Sequence, residues 1–173
     1  MDSIILEKKE LIEKWLIEHN LAPEEVTTQN SYFLYKFRIT GILQYVIQDM
    51  NHSDKVHSYI KSKIPKEDQQ LLKGIANPKR SQLFWDIRLA LLENPYVLDF
   101  KLFPNPPENF EGAYVSSYFI YYENLTRDVL IKSIYEVRKA FAGIQWRIRR
   151  TAGGTKPPSE NPLGSGSLPP AIQ

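Results

Sequence analysis

The chain has no cysteine. Disulfides, thiolate metal ligands and cysteine nucleophiles are therefore excluded. It also lacks any apolar run near the roughly 20 residues that a bilayer-spanning helix requires. Histidine is scarce, with three in 173 residues, and none stands near a serine in a nucleophile motif. GxSxG, GxGxxG and the P-loop pattern are all missing. The first residues, MDSIILEKKELIEK, are acidic and amphipathic, without the basic start and apolar core of a signal peptide. Asn51-His52-Ser53 and Asn124-Leu125-Thr126 match glycosylation acceptors in form only. A cytoplasmic protein with no cofactor and no enzymatic activity is the expectation.

What is present suits one globular domain. Hydrophobic residues make up 42% and charged residues 24%, an ordinary balance for a folded chain of this size. Net charge is only +2, but it is unevenly spread. Residues 1–30 hold seven acids against three bases, and residues 126–150 hold seven bases against two acids. That asymmetry can steer an anionic partner, or it can draw the two terminal helices together.

Periodicity gives the elements. Residues 3–19 repeat apolar positions at helical spacing, with Asn20 as the stop. Residues 32–39 alternate, with Phe33, Tyr35, Phe37 and Ile39 on one face. Thr40-Gly41 is a turn, and 42–49 is a second strand with Leu43, Tyr45 and Ile47 set against Gln44 and Gln48. Residues 55–61 make a third strand. Pro65 opens a short helix to Gly74.

Asn77-Pro78 should break the chain, and Ser81 should cap a central helix ending at Pro95. Its buried stripe is Leu83, Phe84, Ile87, Ala90 and Leu91. Residues 96–103 and 114–122 are two further strands, joined by an exposed loop over 104–112. Thr126 caps a long last helix through Arg149. Residues 151–173 are rich in Pro, Gly and Ser and read as a flexible tail. Residues 1–150 then form a single α+β domain in the order α-β-β-β-α-α-β-β-α, one antiparallel sheet with helices packed on it.

Lys14-Trp15-Leu16, Phe84-Trp85-Asp86-Ile87-Arg88 with Leu91-Leu92, and Leu125-Thr126-Arg127-Asp128 followed by Val137-Arg138 carry a resemblance over about residues 4–150. In them the chain resembles an archaeal family of uncharacterised conserved proteins whose fold looks like that of the type III secretion chaperones. The resemblance implies that fold and a protein-binding or dimerising surface. It implies no catalytic residue.

Candidate chemistry is thin. His52, Asp54 and His57 straddle a turn at spacings that do not suit a zinc site, so no metal is expected. Asp86 and Arg88 are two apart on a helix and point away from each other, which favours orienting roles. The favoured surface is the aromatic last strand, with Tyr118, Tyr121 and Tyr122 as partner-binding residues. Arg147, Arg149 and Arg150 on the last helix are the matching basic candidates. A protein partner or a homodimer is the first reading. A nucleic-acid-binding accessory protein, using the basic helix and strand tyrosines, is the second.

Overall fold

The structure, a computed structural model, describes residues 3–104 and 110–153. Most of the expected 104–112 loop, and the expected tail from residue 154 onward, lie outside the described residues. Helix α1 spans Ser3–Glu18, followed by β1 (Glu24–Glu25), β2 (Ser31–Ile39), β3 (Ile42–Asp49) and β4 (Lys55–Lys63). Then come α2 (Lys66–Gly74), α3 (Asn77–Leu92), β5 (Val97–Phe103), β6 (Gly112–Ser117), β7 (Ile120–Tyr121) and α4 (Arg127–Thr151). The sheet is antiparallel, with strands in the order β1-β2-β3-β4-β6-β5 and β7 pairing with the start of β4.

Local chemistry explains most boundaries. Asn20 ends α1 with φ 56°, the left-handed region that asparagine tolerates. Thr40 and Gly41 both take positive φ, 48° and 81°, and close the two-residue β2–β3 hairpin. Arg138 of α4 fixes that turn by donating to the Thr40 hydroxyl at 3.1 and 2.5 Å. Thr126 caps α4, its hydroxyl accepting from the Val129 N–H at 3.3 Å.

Three expected boundaries move, and one short strand is added. The central helix does not start at Ser81; Asn77-Pro78 is its first turn, with Ala76 preceding it. Proline is tolerated there because a first-turn N–H has no helical partner anyway. The 114–122 strand is broken at Tyr118-Phe119 into β6 and β7, and Tyr122 already lies in a 3₁₀ turn. Helix α4 runs to Thr151, two residues past the expected Arg149. The two-residue edge strand β1, paired with β2, was not foreseen.

All four helices contribute buried residues to the core on one face of the sheet. One cluster joins Ile60, Leu83, Ile87, Val115, Phe141 and Ile144; the other joins Ile12, Leu16, Phe33, Tyr35, Val46 and Ile134. A polar seam lies beneath α4. Gln44 donates to the Ile134 carbonyl at 2.7 Å, and the Ser58 and Ser133 hydroxyls meet at 3.1 Å. The Ser117 hydroxyl accepts from the Ser58 N–H at 3.1 Å. The Gln44 Oε1 has no protein partner.

This seam sets the facing of β3. Gln44, Val46 and Gln48 point into the core, fully buried, while Leu43, Tyr45 and Ile47 lie on the opposite, open face.

Candidate interaction surfaces

The open face is built by strand parity. Residues paired across strands share a face, and successive residues alternate. Tyr45 of β3 pairs with Tyr59 of β4, and Tyr59 pairs with Ser116 of β6. One step along, Tyr114 of β6 sits between Lys61 of β4 and Lys101 of β5. A continuous track of rings results. Tyr45 and Tyr59 stack at 4.8 Å, and Tyr59 meets Tyr114 at 5.7 Å. Tyr59 also approaches His57 at 6.0 Å, and His57 packs against Phe119 at 5.1 Å. His52 also packs against Phe119, at 5.3 Å.

Burial sets the electrostatics of this track. It pushes the Tyr59 hydroxyl up to about 12, with smaller contributions from Tyr45 and Tyr114. It lowers His57 to about 4, opposed in part by Asp49. The imidazole is therefore a neutral ring at pH 7. Cations border the rings. Lys55 lies 4.2 Å over the Phe119 ring and 5.2 Å from that of Tyr121. Lys61, Lys63 and Lys101 are exposed and make no ion pair among the described residues. Lys36 differs, being held by Glu24 at 2.7 Å.

The three tyrosines favoured from sequence separate. Tyr118 and Tyr121 are exposed at the break between β6 and β7. Tyr122 is half-buried and donates from its hydroxyl to Gln48 Oε1, tying the 3₁₀ turn to β3. The arginines separate too. Arg149 forms a bidentate pair with Asp68, at 2.6 and 3.1 Å, and the Asp68 side chain is fully buried. That contact holds α2 against α4 and raises the Arg149 guanidinium above its ordinary value. Arg147 donates to the Gly143 carbonyl at 3.1 Å and lies 5.9 Å from the Trp146 ring. Arg150 is exposed, 5.2 Å over the same ring.

Helix α3 supplies residues that the sequence reading passed over. Trp85, Leu89 and Leu92 are 54%, 52% and 67% exposed, and their spacing of four and three puts them on one outer stripe. Their inner counterparts are Leu83, Phe84, Ile87 and Leu91. Arg88 lies 5.5 Å from both the Phe84 and Trp85 rings and 5.9 Å from that of Phe100 on β5. Arg88 therefore reaches a strand, and Asp86 accepts from Gln82 at 2.8 Å. Beside the stripe, a groove of about 560 Å³ runs between α3 and the end of α4. Leu89, Trp146, Arg147 and Arg150 line it together with Asp86 and Glu93.

Among the described residues no three His, Asp or Glu side chains converge on a metal site. His52 and His57 instead each pack edge-on against Phe119. No described helix is long and apolar enough to cross a membrane.

One antiparallel sheet, covered by helices on one face and bearing aromatic and basic residues on the other, defines an α+β protein with an open sheet face. The chain belongs to the family described as "Uncharacterized conserved protein (DUF2299)", matched over residues 8–148. It is also similar to a solved structure of an uncharacterized protein from Methanothermobacter thermautotrophicus, with 26% identity and a TM-score of 0.73. That match covers 82% of this chain and 96% of the archaeal one. No curated protein matches the sequence significantly.

Proposed function

We propose that the chain is a non-enzymatic interaction module that pairs with a second copy of itself through the outer stripe of α3 and the adjoining α3–α4 groove. The observation that carries this is the exposure of Trp85, Leu89 and Leu92 in line on one helix. Contiguous exposed apolar surface marks association sites, and tryptophan and arginine are enriched among the residues that dominate them. The groove is also self-complementary in charge. It holds Asp86 and Glu93 beside Arg147 and Arg150. A two-fold contact sets each patch against its own copy, so the acids of one protomer can face the arginines of the other.

The expected likeness to type III secretion chaperones belongs to the same proposal. Its support is the order of elements, helix, strands, two helices, strands, helix, together with an exposed apolar surface. A cytoplasmic location is part of the proposal as well. Light scattering across a protein concentration series tests the pairing. The wild type should shift from monomer to dimer mass, and Leu89→Asp should stay monomeric with an unchanged far-ultraviolet dichroism spectrum. A wild type that is monomeric at every concentration contradicts the reading.

A further inference from the structure

We infer that the open sheet face is a binding site for single-stranded nucleic acid, distinct from the α3–α4 groove. The argument rests on three features that coincide on that face. First, Tyr114, Tyr59, His57 and Phe119 form an unbroken line of rings, each within 6.0 Å of the next. They cross from β6 through β4 to the break before β7. Proteins that hold single strands without sequence readout combine such aromatic platforms with cations that follow the phosphates. Second, the cations are in place. Lys61 and Lys101 flank Tyr114 on the neighbouring strands. Lys63 follows Lys61 on the same face, and Lys55 lies at the Phe119 end of the line. Third, the rings are held in place rather than free. Tyr59 is stacked on Tyr45 with a 12° interplanar angle, whereas Tyr114 is tilted 40° from Tyr59 and His57 stands edge-on to Phe119. Tyr114 is therefore not closed into a parallel stack, and a base can pack on it; Phe119, with Lys55 over its ring and two imidazoles against it, closes the other end of the track.

Charge and shape together select this ligand. An acidic polypeptide would satisfy the lysines but has no repeated planar groups to match the rings. A duplex carries the charge, but its bases are already stacked and paired away from the sheet. The basic helix singled out from the sequence is a poorer site, because Arg149 is held by Asp68, and Arg147 and Arg150 share the Trp146 ring rather than border a line of rings.

The test is fluorescence anisotropy on the full chain, using labelled oligouridine and oligothymidine of about 12 nucleotides. Four lysine–phosphate contacts predict a log–log salt slope of about −3, a loss of roughly 50-fold between 50 and 200 mM salt. Tyr114→Ala should weaken binding roughly tenfold while leaving the slope unchanged. Lys61→Gln with Lys101→Gln should flatten the slope to about half. Weaker binding to oligothymidine than to oligouridine assigns RNA within the inference; equal binding assigns any single strand. No anisotropy change at low salt overturns the inference. So does displacement by polyglutamate as readily as by unlabelled oligouridine with no effect of Tyr114→Ala, which marks a mere polyanion surface. If Tyr114→Ala alters the mass seen by light scattering and no oligonucleotide binds, the face belongs to a protein contact and the inference fails. Thermal unfolding of each variant identifies any that do not fold, and in that event Tyr114→Phe, which keeps the ring, must bind as the wild type does.

Discussion

Replacing Arg149 with methionine should destabilise the domain by about 3 kcal/mol, because it strands a buried carboxylate. The Asp68 side chain is only 1% exposed and receives two hydrogen bonds from the guanidinium, whereas the Arg149 side chain is 35% exposed. Breaking a buried pair from one side costs about 3–5 kcal/mol, and partial solvation of the arginine puts this pair at the low end. In a domain of this size that loss lowers Tm by about 6–12 °C. The double variant Asp68→Leu with Arg149→Met removes both charges and should recover to within about 1 kcal/mol of the wild type. Urea unfolding of the wild type, both single variants and the double variant closes the cycle. A cost below about 0.5 kcal/mol for Arg149→Met, or strictly additive single effects, refutes the claim that this arginine is a structural clamp.

Other consequences follow from single contacts. His57 titrates lower in the fold than in the unfolded chain, so the unfolded chain takes up the proton first. Its contribution is present in full above about pH 6.5 and is lost as pH falls toward 4, by about 2–3 kcal/mol at pH 4.5. Urea midpoints at pH 7 and 4.5 should therefore diverge more in the wild type than in His57→Gln. Gly112 lies under the Phe103 ring and beside the Ser62 carbonyl, which a Cβ would strike at 2.7 Å. Gly112→Ala should cost about 1–3 kcal/mol by thermal unfolding. Gln44 Oε1 is buried without a partner while its Nε2 donates to the Ile134 carbonyl, so in Gln44→Met the relieved oxygen and the lost bond offset, and stability should change by less than about 1 kcal/mol in the same assay.

The sequence showed periods more clearly than faces. Alternation in 42–49 marked a strand, but apolar Leu43, Tyr45 and Ile47 face outward because Gln44 and Gln48 find polar partners within the core. Hydrophobic pattern alone carries no term for such a partner 90 residues away in the chain, as Gln44 has in Ile134. Helix α3 was recognised, but its second stripe was not, because apolar residues on opposite sides blur the amphipathic signal. The spacing of Trp85, Leu89 and Leu92 was readable and is the signal that would have found it. Arg149 looked like a free cation because Asp68 lies 81 residues earlier in the chain. The caps were legible wherever the chemistry is local, as at Thr126, Asn20 and Thr40-Gly41. Ser81 misled because a good capping residue in an established helix is only an ordinary helical residue.

The absence of cysteine makes the central claim directly testable. Leu89→Cys introduces a single thiol at the middle of the proposed two-fold contact, and Ile17→Cys introduces one on exposed α1 as a control. A short bismaleimide should join two chains efficiently through position 89 and poorly through position 17, as read on a denaturing gel. Equal yields at the two positions, or none at position 89 when the wild type is a dimer by light scattering, would contradict pairing through α3.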